Sequence, residues 1–226
     1  MRKEIKVLAA IAIVVVVGAI IGANYYRNSA EKQPLRQVTP AADMSATLVR
    51  SDSPAIGPHD AKVTLVEFYD PECEACAAFH PIVKNILKEN DGRIRYVARY
   101  MPLHRNSMVA ANFLEFASEN GKYWQAQDVV LAKQPEWGEK HGAPPTAPQP
   151  NINDLFAGYA KELGLDPQQA AAAMRENRYS SKIERDRKDG QTMGVRRTPT
   201  FFVNGRELLR FGEPELRRLI DEEMKK

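Results

Sequence analysis

The two cysteines of the chain, Cys73 and Cys76, are separated by two residues and follow the apolar segment Val63–Tyr69. That segment is β-branched and aromatic, which is typical of a buried strand, and a helical pattern begins at the cysteines. Unpaired N–H groups at a helix start stabilise negative charge, so Cys73 is expected to react as a thiolate. Cys76 lies one helical turn away, close enough for a reversible disulfide. We therefore predict a redox pair with Cys73 as nucleophile and Cys76 as resolving thiol. A zinc half-site or two incidental thiols is the alternative, although the chain holds no further cysteine.

The elements around this motif predict a βαβ unit. A helix runs from the C-x-x-C to the stop signal near Gly92, and Arg93–Tyr100 reads as a second strand. Near the other end of the chain, Asn204-Gly205 predicts a hairpin turn between strands at 200–203 and 207–209, and a closing helix follows over 214–224.

With Glu67 on the first strand and Thr198-Pro199 before the hairpin, the C-x-x-C resembles the DsbA-like thiol–disulfide oxidoreductases of the thioredoxin superfamily. The resemblance implies an α/β thioredoxin-like fold, protein thiols and disulfides as substrates, and proton exchange between Glu67 and Cys76. It also implies that Pro199 is cis and that Thr198 offers its backbone to a substrate peptide. An acid on an apolar strand should in addition have a raised pKa. The alternatives are an outward-facing Glu67 and an ordinary trans proline.

The segment between the second strand and Thr198 is longer than small thioredoxins require and predicts an inserted helical layer over about 104–192. The predicted helices are Asn106–Asn120, Tyr123–Ala132, Ile152–Leu163 and Pro167–Gly190. The proline-rich segment Gln134–Asn151 predicts an exposed loop. His80 either tunes the proton of Cys76 or is a surface residue, and both tryptophans are expected to be packing residues.

The N-terminus predicts a membrane anchor over residues 1–27. An uninterrupted small and apolar run, Val7–Ala23, follows three basic residues and precedes tyrosines that favour a membrane interface. Cleavage after Ala23 is the alternative. A polar, proline-containing linker is expected over 28–58 and the thioredoxin-like domain over 59–226. The expected location is a bacterial inner membrane, single-pass, with the domain facing the periplasm or cell exterior.

The predicted activity is thiol–disulfide exchange, with a membrane redox partner as a further candidate partner. Asp70, Glu72 and Glu74 should disfavour the Cys73 thiolate relative to a motif with neutral or cationic intervening residues, which argues against a strong oxidant. Exposed charges worth about 0.3–1 kcal/mol each cannot decide the direction. No cofactor and no metal are expected. The net charge of +3, from 32 basic and 29 acidic residues without a basic block, argues against a nucleic-acid partner. Two alternatives from other classes are a copper metallochaperone that binds Cu(I) through both cysteines and a catalytically idle module.

Overall fold

The computed structural model describes Gly18 and residues 46–139 and 151–226, and its centre is a five-stranded sheet. The strands lie in the order β1-β3-β2-β4-β5, in which β2 and β3 are parallel and the other neighbours antiparallel. Their bounds are β1 Ala55–Ile56, β2 Val63–Tyr69, β3 Ile94–Tyr100, β4 Thr200–Val203 and β5 Arg206–Glu207.

Strand β2 is buried on both faces, which explains its nearly continuous apolar sequence. Its side chains alternate between two apolar clusters: Leu65 and Tyr69 belong to the larger one, and Val66 and Phe68 belong to the smaller one on the opposite face. Glu67 therefore points to the same face as Leu65 and Tyr69, toward the larger cluster and the helices that cover it.

Helix α1 (Glu74–Glu89) connects the parallel strands β2 and β3. It begins directly after Cys73, and Asn90, which follows its last residue as C-cap, donates a side-chain hydrogen bond to Ile86 O at 2.9 Å. The predicted order of strand, C-x-x-C at a helix start, helix and strand is confirmed.

The helices α2 to α7 form a layer inserted between β3 and β4, as predicted. Phe156 joins several of them in one core, because its ring centroid lies 5.0 Å from that of Phe113 and 5.2 Å from that of Trp137. The C-terminal helix α8 (Glu213–Met224) packs against the same core. The inserted helices are α2 Ser107–Glu119, α3 Tyr123–Ala132, α4 Gln134–Trp137, α5 Ile152–Glu162, α6 Pro167–Arg175 and α7 Ser180–Met193.

The predicted single helix over Pro167–Gly190 is wrong, because residues 176–179 separate α6 from α7. Asn177 has a φ of 47°, in the left-handed region that a continuous α-helix does not contain. The next residue, Arg178, donates its backbone N–H to Ala173 O at 3.1 Å, which closes the end of α6.

The predicted exposed loop over Gln134–Asn151 is wrong at its start, which forms the short helix α4. Trp137 at the end of this helix is buried, and its indole N–H donates to Val130 O at 3.0 Å. Burial of this large side chain is the physical reason that the segment packs despite its prolines. Residues 140–150 lie outside the described residues.

Residues 46–58, predicted to end a polar linker, are part of the folded unit. Leu48 is buried in the smaller apolar cluster, and β1 pairs with β3. The fully buried Arg99 of β3 donates to Thr47 O at 2.6 Å and Leu48 O at 2.7 Å. The fold therefore begins before the predicted boundary at residue 59, through contacts that leave no periodic pattern in the sequence.

The hairpin forms at the predicted turn. Asn204 and Gly205 have φ values of 48° and 82°, which suit a two-residue turn with both central residues left-handed. The second strand is Arg206–Glu207 rather than the predicted 207–209.

The predicted anchor over residues 1–27 lies outside the described residues, apart from Gly18. Within the described part of the chain, no helix combines the length and the apolar content that a membrane span requires. The anchor and the linker that follows it stay predictions.

Candidate active site

Cys73 occupies the N-cap position of α1, with an extended backbone at φ −73° and ψ 120°. Both cysteines are free thiols, so the structure represents the reduced pair. Cys73 is 8% exposed and Cys76 only 1%, so the first thiol is the one that a partner can approach. The Cys73 Sγ lies 3.4 Å from Thr198 O, which places the loop before β4 directly beside the thiol.

The surroundings of Cys73 stabilise its thiolate and lower its pKa to about 5. The largest cause is the hydrogen bond from the Cys76 thiol, and the Thr198 side chain and the backbone N–H groups of Ala75 and Cys76 act in the same direction against burial. The backbone contribution is the one that a helix start was expected to make. These hydrogen bonds lower the pKa of Cys73 in spite of its acidic neighbours. That the same neighbours disfavour the thiolate relative to a motif with neutral or cationic intervening residues stays a prediction.

Asp70 and Glu72 are buried, and the hydrogen bonds of their carboxylates go to groups other than the Cys73 thiol. Asp70 accepts hydrogen bonds from the backbone N–H of Leu103 at 2.6 Å and the hydroxyl of Ser107 at 2.5 Å. Glu72 accepts two from Asn106, through its backbone N–H at 2.5 Å and its side-chain amide at 2.9 Å. Through these hydrogen bonds, both carboxylates hold the loop that follows β3 against the turn that precedes Cys73.

Cys76 and Glu67 form the buried half of the site. Burial raises the pKa of Cys76 well above its ordinary value, and the hydrogen bond to Cys73 and the charge of Glu67 act in the same direction. Glu67 is 4% exposed, so the alternative of an outward-facing glutamate is wrong. Burial raises the pKa of Glu67 to about 7 although a hydrogen bond from Tyr96 opposes the shift. Glu67 is thus a buried acid with a pKa near neutral that interacts electrostatically with the Cys76 thiol.

The Thr198–Pro199 peptide bond is cis, as the resemblance implies, and the alternative of a trans proline is wrong. Thr200, the first residue of β4, donates its hydroxyl to Arg197 O at 2.8 Å across this bend. The carbonyl of Thr198 faces Cys73 as described above. The structure therefore brings together every residue that was predicted for the site; their roles in the chemistry stay predictions.

The other candidate residues lie in contacts away from the thiols. His80 Nε2 is 2.7 Å from Asp128 Oδ1, and burial lowers the pKa of the ring. The ring of Trp124 packs 5.6 Å from that of Tyr96, between centroids. Within residues 46–139 and 151–226, no cluster of three or more histidine, cysteine, aspartate or glutamate side chains could hold a metal ion. The copper alternative therefore has two thiols and no third ligand of these types in this part of the chain.

Tyr96 is the site residue that the sequence analysis missed. Its hydroxyl donates to Glu67 Oε2, in the buried space beneath the thiols. The period of two in β3 could have placed Tyr96 on the same face as Ala98 and Tyr100, because alternate strand residues share a face. The register of β2 and β3, which pairs Tyr96 with Leu65 and so places it near Glu67, could not be predicted from the sequence.

The family model described as Thioredoxin (Thioredoxin_4) matches residues 50–222. The chain belongs to the thioredoxin family. The predicted thioredoxin-like α/β fold with an inserted helical layer and the resemblance to the DsbA-like oxidoreductases are both confirmed.

A curated relative and a solved structure are each similar to this chain over about three quarters of its length. Disulfide bond formation protein D of Bacillus subtilis is 26% identical over 180 residues, which cover 76% of this chain and 77% of the relative. The crystal structure of oxidised BdbD from Bacillus subtilis has a TM-score of 0.67 at 25% identity, and the match covers 77% of this chain and 94% of that one.

A second group of relatives is much longer than this chain. The Na(+)/H(+) antiporter NhaA of Herminiimonas arsenicoxydans is 34% identical over 152 residues, which cover 67% of this chain but 22% of the antiporter. The chain spans about a fifth of the length of the antiporters that it matches. Their names therefore carry no argument for ion transport by this thioredoxin-family chain.

Proposed function

We propose that this chain is an oxidoreductase that exchanges disulfides with other proteins through Cys73 and Cys76. The observation that carries the proposal is the opposite behaviour of two neighbouring thiols. The pKa of Cys73 is lowered to about 5, whereas the pKa of Cys76 is raised. Because the thiolate is the nucleophile, Cys73 is reactive at neutral pH, whereas Cys76 reacts only after a base removes its proton. The similarity to Disulfide bond formation protein D and to BdbD supports the same function.

In the reducing direction, the Cys73 thiolate attacks a partner disulfide, forms a mixed disulfide and releases one partner sulfur as a thiolate. Glu67 then accepts the proton of Cys76. The new Cys76 thiolate attacks Cys73, closes the Cys73–Cys76 disulfide and releases the second partner thiolate. The partner gains two electrons and the pair loses two.

In the oxidising direction, a partner thiolate attacks Cys73 of the disulfide and Cys76 leaves as a thiolate that takes a proton from Glu67. A second partner thiolate then attacks the mixed disulfide at the partner sulfur and expels Cys73. The leaving group is the stabilised thiolate, which favours this step. The partner loses two electrons, and the pair returns to the dithiol.

We propose that oxidation of partner dithiols is the favoured direction. With the pKa of Cys73 at about 5, its thiolate stabilises the reduced form at pH 7 by about 3 kcal/mol relative to an ordinary thiol, or about 60 mV. Equilibration with glutathione buffers measures the reduction potential. A value as low as that of thioredoxin, about −270 mV, would overturn the oxidising direction while leaving the exchange chemistry intact.

Substitution of each cysteine tests the assignment of nucleophile and resolving thiol. Cys73→Ser should abolish exchange with a model protein disulfide, whereas Cys76→Ser should accumulate mixed disulfides on Cys73 that non-reducing gels and mass spectrometry detect. The double variant supplies the background. A Cys73→Ser variant that still turns over, with Cys76 alkylated first in the parent protein, would reverse the assignment.

We also propose that residues 1–27 tether the domain to a bacterial inner membrane, with the active site on the outer face and a membrane redox partner. The apolar run Val7–Ala23 supports the tether. A dithiol–disulfide pair that works by oxidation supports the outer face, because disulfides persist outside the reducing cytoplasm.

A further inference from the structure

Exposed apolar side chains lie on the loops that flank the redox pair. Leu103 follows β3, and its backbone N–H donates to Asp70 Oδ2 at 2.6 Å, while the backbone N–H of Cys73 donates to Asp70 O at 3.0 Å. Leu103 is therefore fastened beside Cys73, and its side chain is 49% exposed. Large apolar side chains are costly to leave in water, so their grouping near one site is informative. Among the described residues, the exposed large apolar side chains are Ile56 on β1 and, on the loops near the redox pair, Leu103, Leu209 and Phe211.

The other flank of the pair carries Leu209 and Phe211, in the segment after β5. The Leu208 backbone N–H donates to Phe201 O at 2.8 Å, so this segment continues alongside β4 toward the cis-proline loop. The ring of Phe211 lies 4.7 Å, between centroids, from that of Phe79 on α1, one turn beyond Cys76. Phe211 thus borders the active site on the side opposite Leu103.

The same loops carry exposed arginines. Arg105 lies two residues beyond Leu103, Arg196 and Arg197 directly precede Thr198, and Arg210 lies between Leu209 and Phe211. In the part of the chain that the structure describes, none of these four arginines has a carboxylate within salt-bridge distance. The exposed Arg175 on α6 has no carboxylate within that distance among these residues either. Arginines elsewhere on the surface do have such partners, among them Arg50 with Asp189, Arg185 with Asp52 and Arg217 with Glu89.

The rim loops at 102–106, 194–199 and 208–212 contain no aspartate or glutamate. Nearby, Glu139 is exposed, and its backbone N–H donates to Glu72 Oε1 at 2.9 Å. Glu74, between the two cysteines, is exposed, whereas Asp70 and Glu72 are buried and bound by hydrogen bonds. The rim of the site is therefore apolar and positively charged. A guanidinium group pairs with carboxylates in a bidentate geometry, so charge complementarity favours an acidic partner.

We infer that this face selects protein partners in which acidic and apolar residues flank the reacting cysteine. The inference rests on the proposed function, because it names the substrate class of the same site. Exposed ion pairs each change an equilibrium about 1.4- to 5-fold, so the rim arginines together should produce about a tenfold preference.

The test uses the oxidised full-length protein and three synthetic peptides of equal length, each with one cysteine and the same apolar residues. The cysteine is flanked by glutamates, by lysines or by alanines. The peptide thiolate attacks Cys73, the Cys73–Cys76 bond breaks, and Cys76 leaves and takes up a proton. Acid quenching and mass spectrometry follow the mixed disulfide. Each rate is divided by the rate of the same peptide with hydroxyethyl disulfide, which corrects for the pKa of the peptide thiol.

The glutamate peptide should react about tenfold faster than the lysine peptide at low ionic strength, and the ratio should fall at high salt because exposed charges are screened. Replacing Arg196, Arg197 and Arg210 with Gln together should lower the ratio to about twofold, because Arg105 remains. The matched control replaces the same number of exposed charges on other surfaces, through Lys88→Gln, Lys161→Gln and Arg175→Gln, and should keep the wild-type ratio.

Other outcomes would overturn the inference in distinguishable ways. If the alanine peptide reacts but the charged peptides do not differ, the exchange function stands and the acidic preference is wrong. If both triple variants lose the ratio equally, net charge rather than this face is responsible. If the peptides do not differ while the wild type, unlike the rim variant, binds phosphatidylglycerol vesicles more strongly than phosphatidylcholine vesicles, the arginines contact lipid instead. If no peptide forms a mixed disulfide, the proposed function itself fails.

Discussion

Replacing Glu67 with Gln should raise the stability of the protein and slow its chemistry in the same variant. Glu67 is almost completely buried on β2, and burial raises its pKa from the ordinary value of 4.5 to about 7. A neutral amide has nearly the same shape and can still accept the hydrogen bond from Tyr96. The substitution therefore removes the cost of a buried charge without opening a cavity.

The stability effect has a defined dependence on pH. A carboxyl with a raised pKa in the folded state binds its proton more tightly there, so wild-type stability falls as pH rises from about 4.5 to about 7. Glutamine does not titrate. The variant should therefore equal the wild type at pH 4 and exceed it by about 3 kcal/mol above pH 7, from the shift of roughly 2.5 pKa units.

Urea unfolding at a series of pH values measures this difference, in both redox forms. The gain should be smaller in the oxidised form, because the charge of Cys73 also raises the pKa of Glu67 in the reduced one. Glu207→Gln on the exposed strand β5 is the matched control and should show no gain that grows with pH. A Glu67→Gln variant whose stability tracks the wild type at every pH would refute the argument from burial.

The kinetic half of the prediction concerns resolution of the mixed disulfide. Stopped-flow measurements should show a severalfold slower attack by Cys76 at neutral pH, because this step uses Glu67 as a general base. The initial attack by Cys73 should change little, because Cys73 is already a thiolate. A stabilised variant with unchanged resolution would confirm that Glu67 is buried and refute its role in proton transfer.

Further measurements test other parts of the site and the tether. The rate of Cys73 alkylation should be nearly constant above about pH 6 and fall tenfold per unit below its pKa of about 5, and a midpoint near 8 would contradict the stabilised thiolate. Tyr96→Phe removes the hydrogen bond that lowers the pKa of Glu67, so the pH midpoint of resolution should rise by about one unit, whereas a purely structural role would leave it unmoved. Protease added to intact cells whose outer membrane has been removed should degrade the domain, and extraction of the protein from the membrane should need detergent. A soluble mature protein that begins near Asn24 would show that the anchor is cleaved.

Local patterns in the sequence were sufficient for the elements that carry the chemistry. The strand Val63–Tyr69, the helix start at Cys73 and the turn at Asn204-Gly205 follow from apolar runs, helix spacing and a residue pair that favours left-handed backbone. Each of these signals spans only a few consecutive residues, so it can be detected without knowledge of the fold.

The remaining features depend on contacts between residues far apart in the chain. The hydrogen bond from Tyr96 to Glu67 joins residues 29 positions apart and exists because β2 and β3 pair in one particular register. Burial of Leu48 and Arg99 brings in a segment that is polar and aperiodic, and only the closed sheet provides its partners. The thiolate of Cys73 likewise depends on which groups finally surround it, since packing turned the nearby carboxylates of Asp70 and Glu72 toward other donors. Tertiary structure alone decides such questions because burial and hydrogen bonding, rather than residue type, set the energy of a charge.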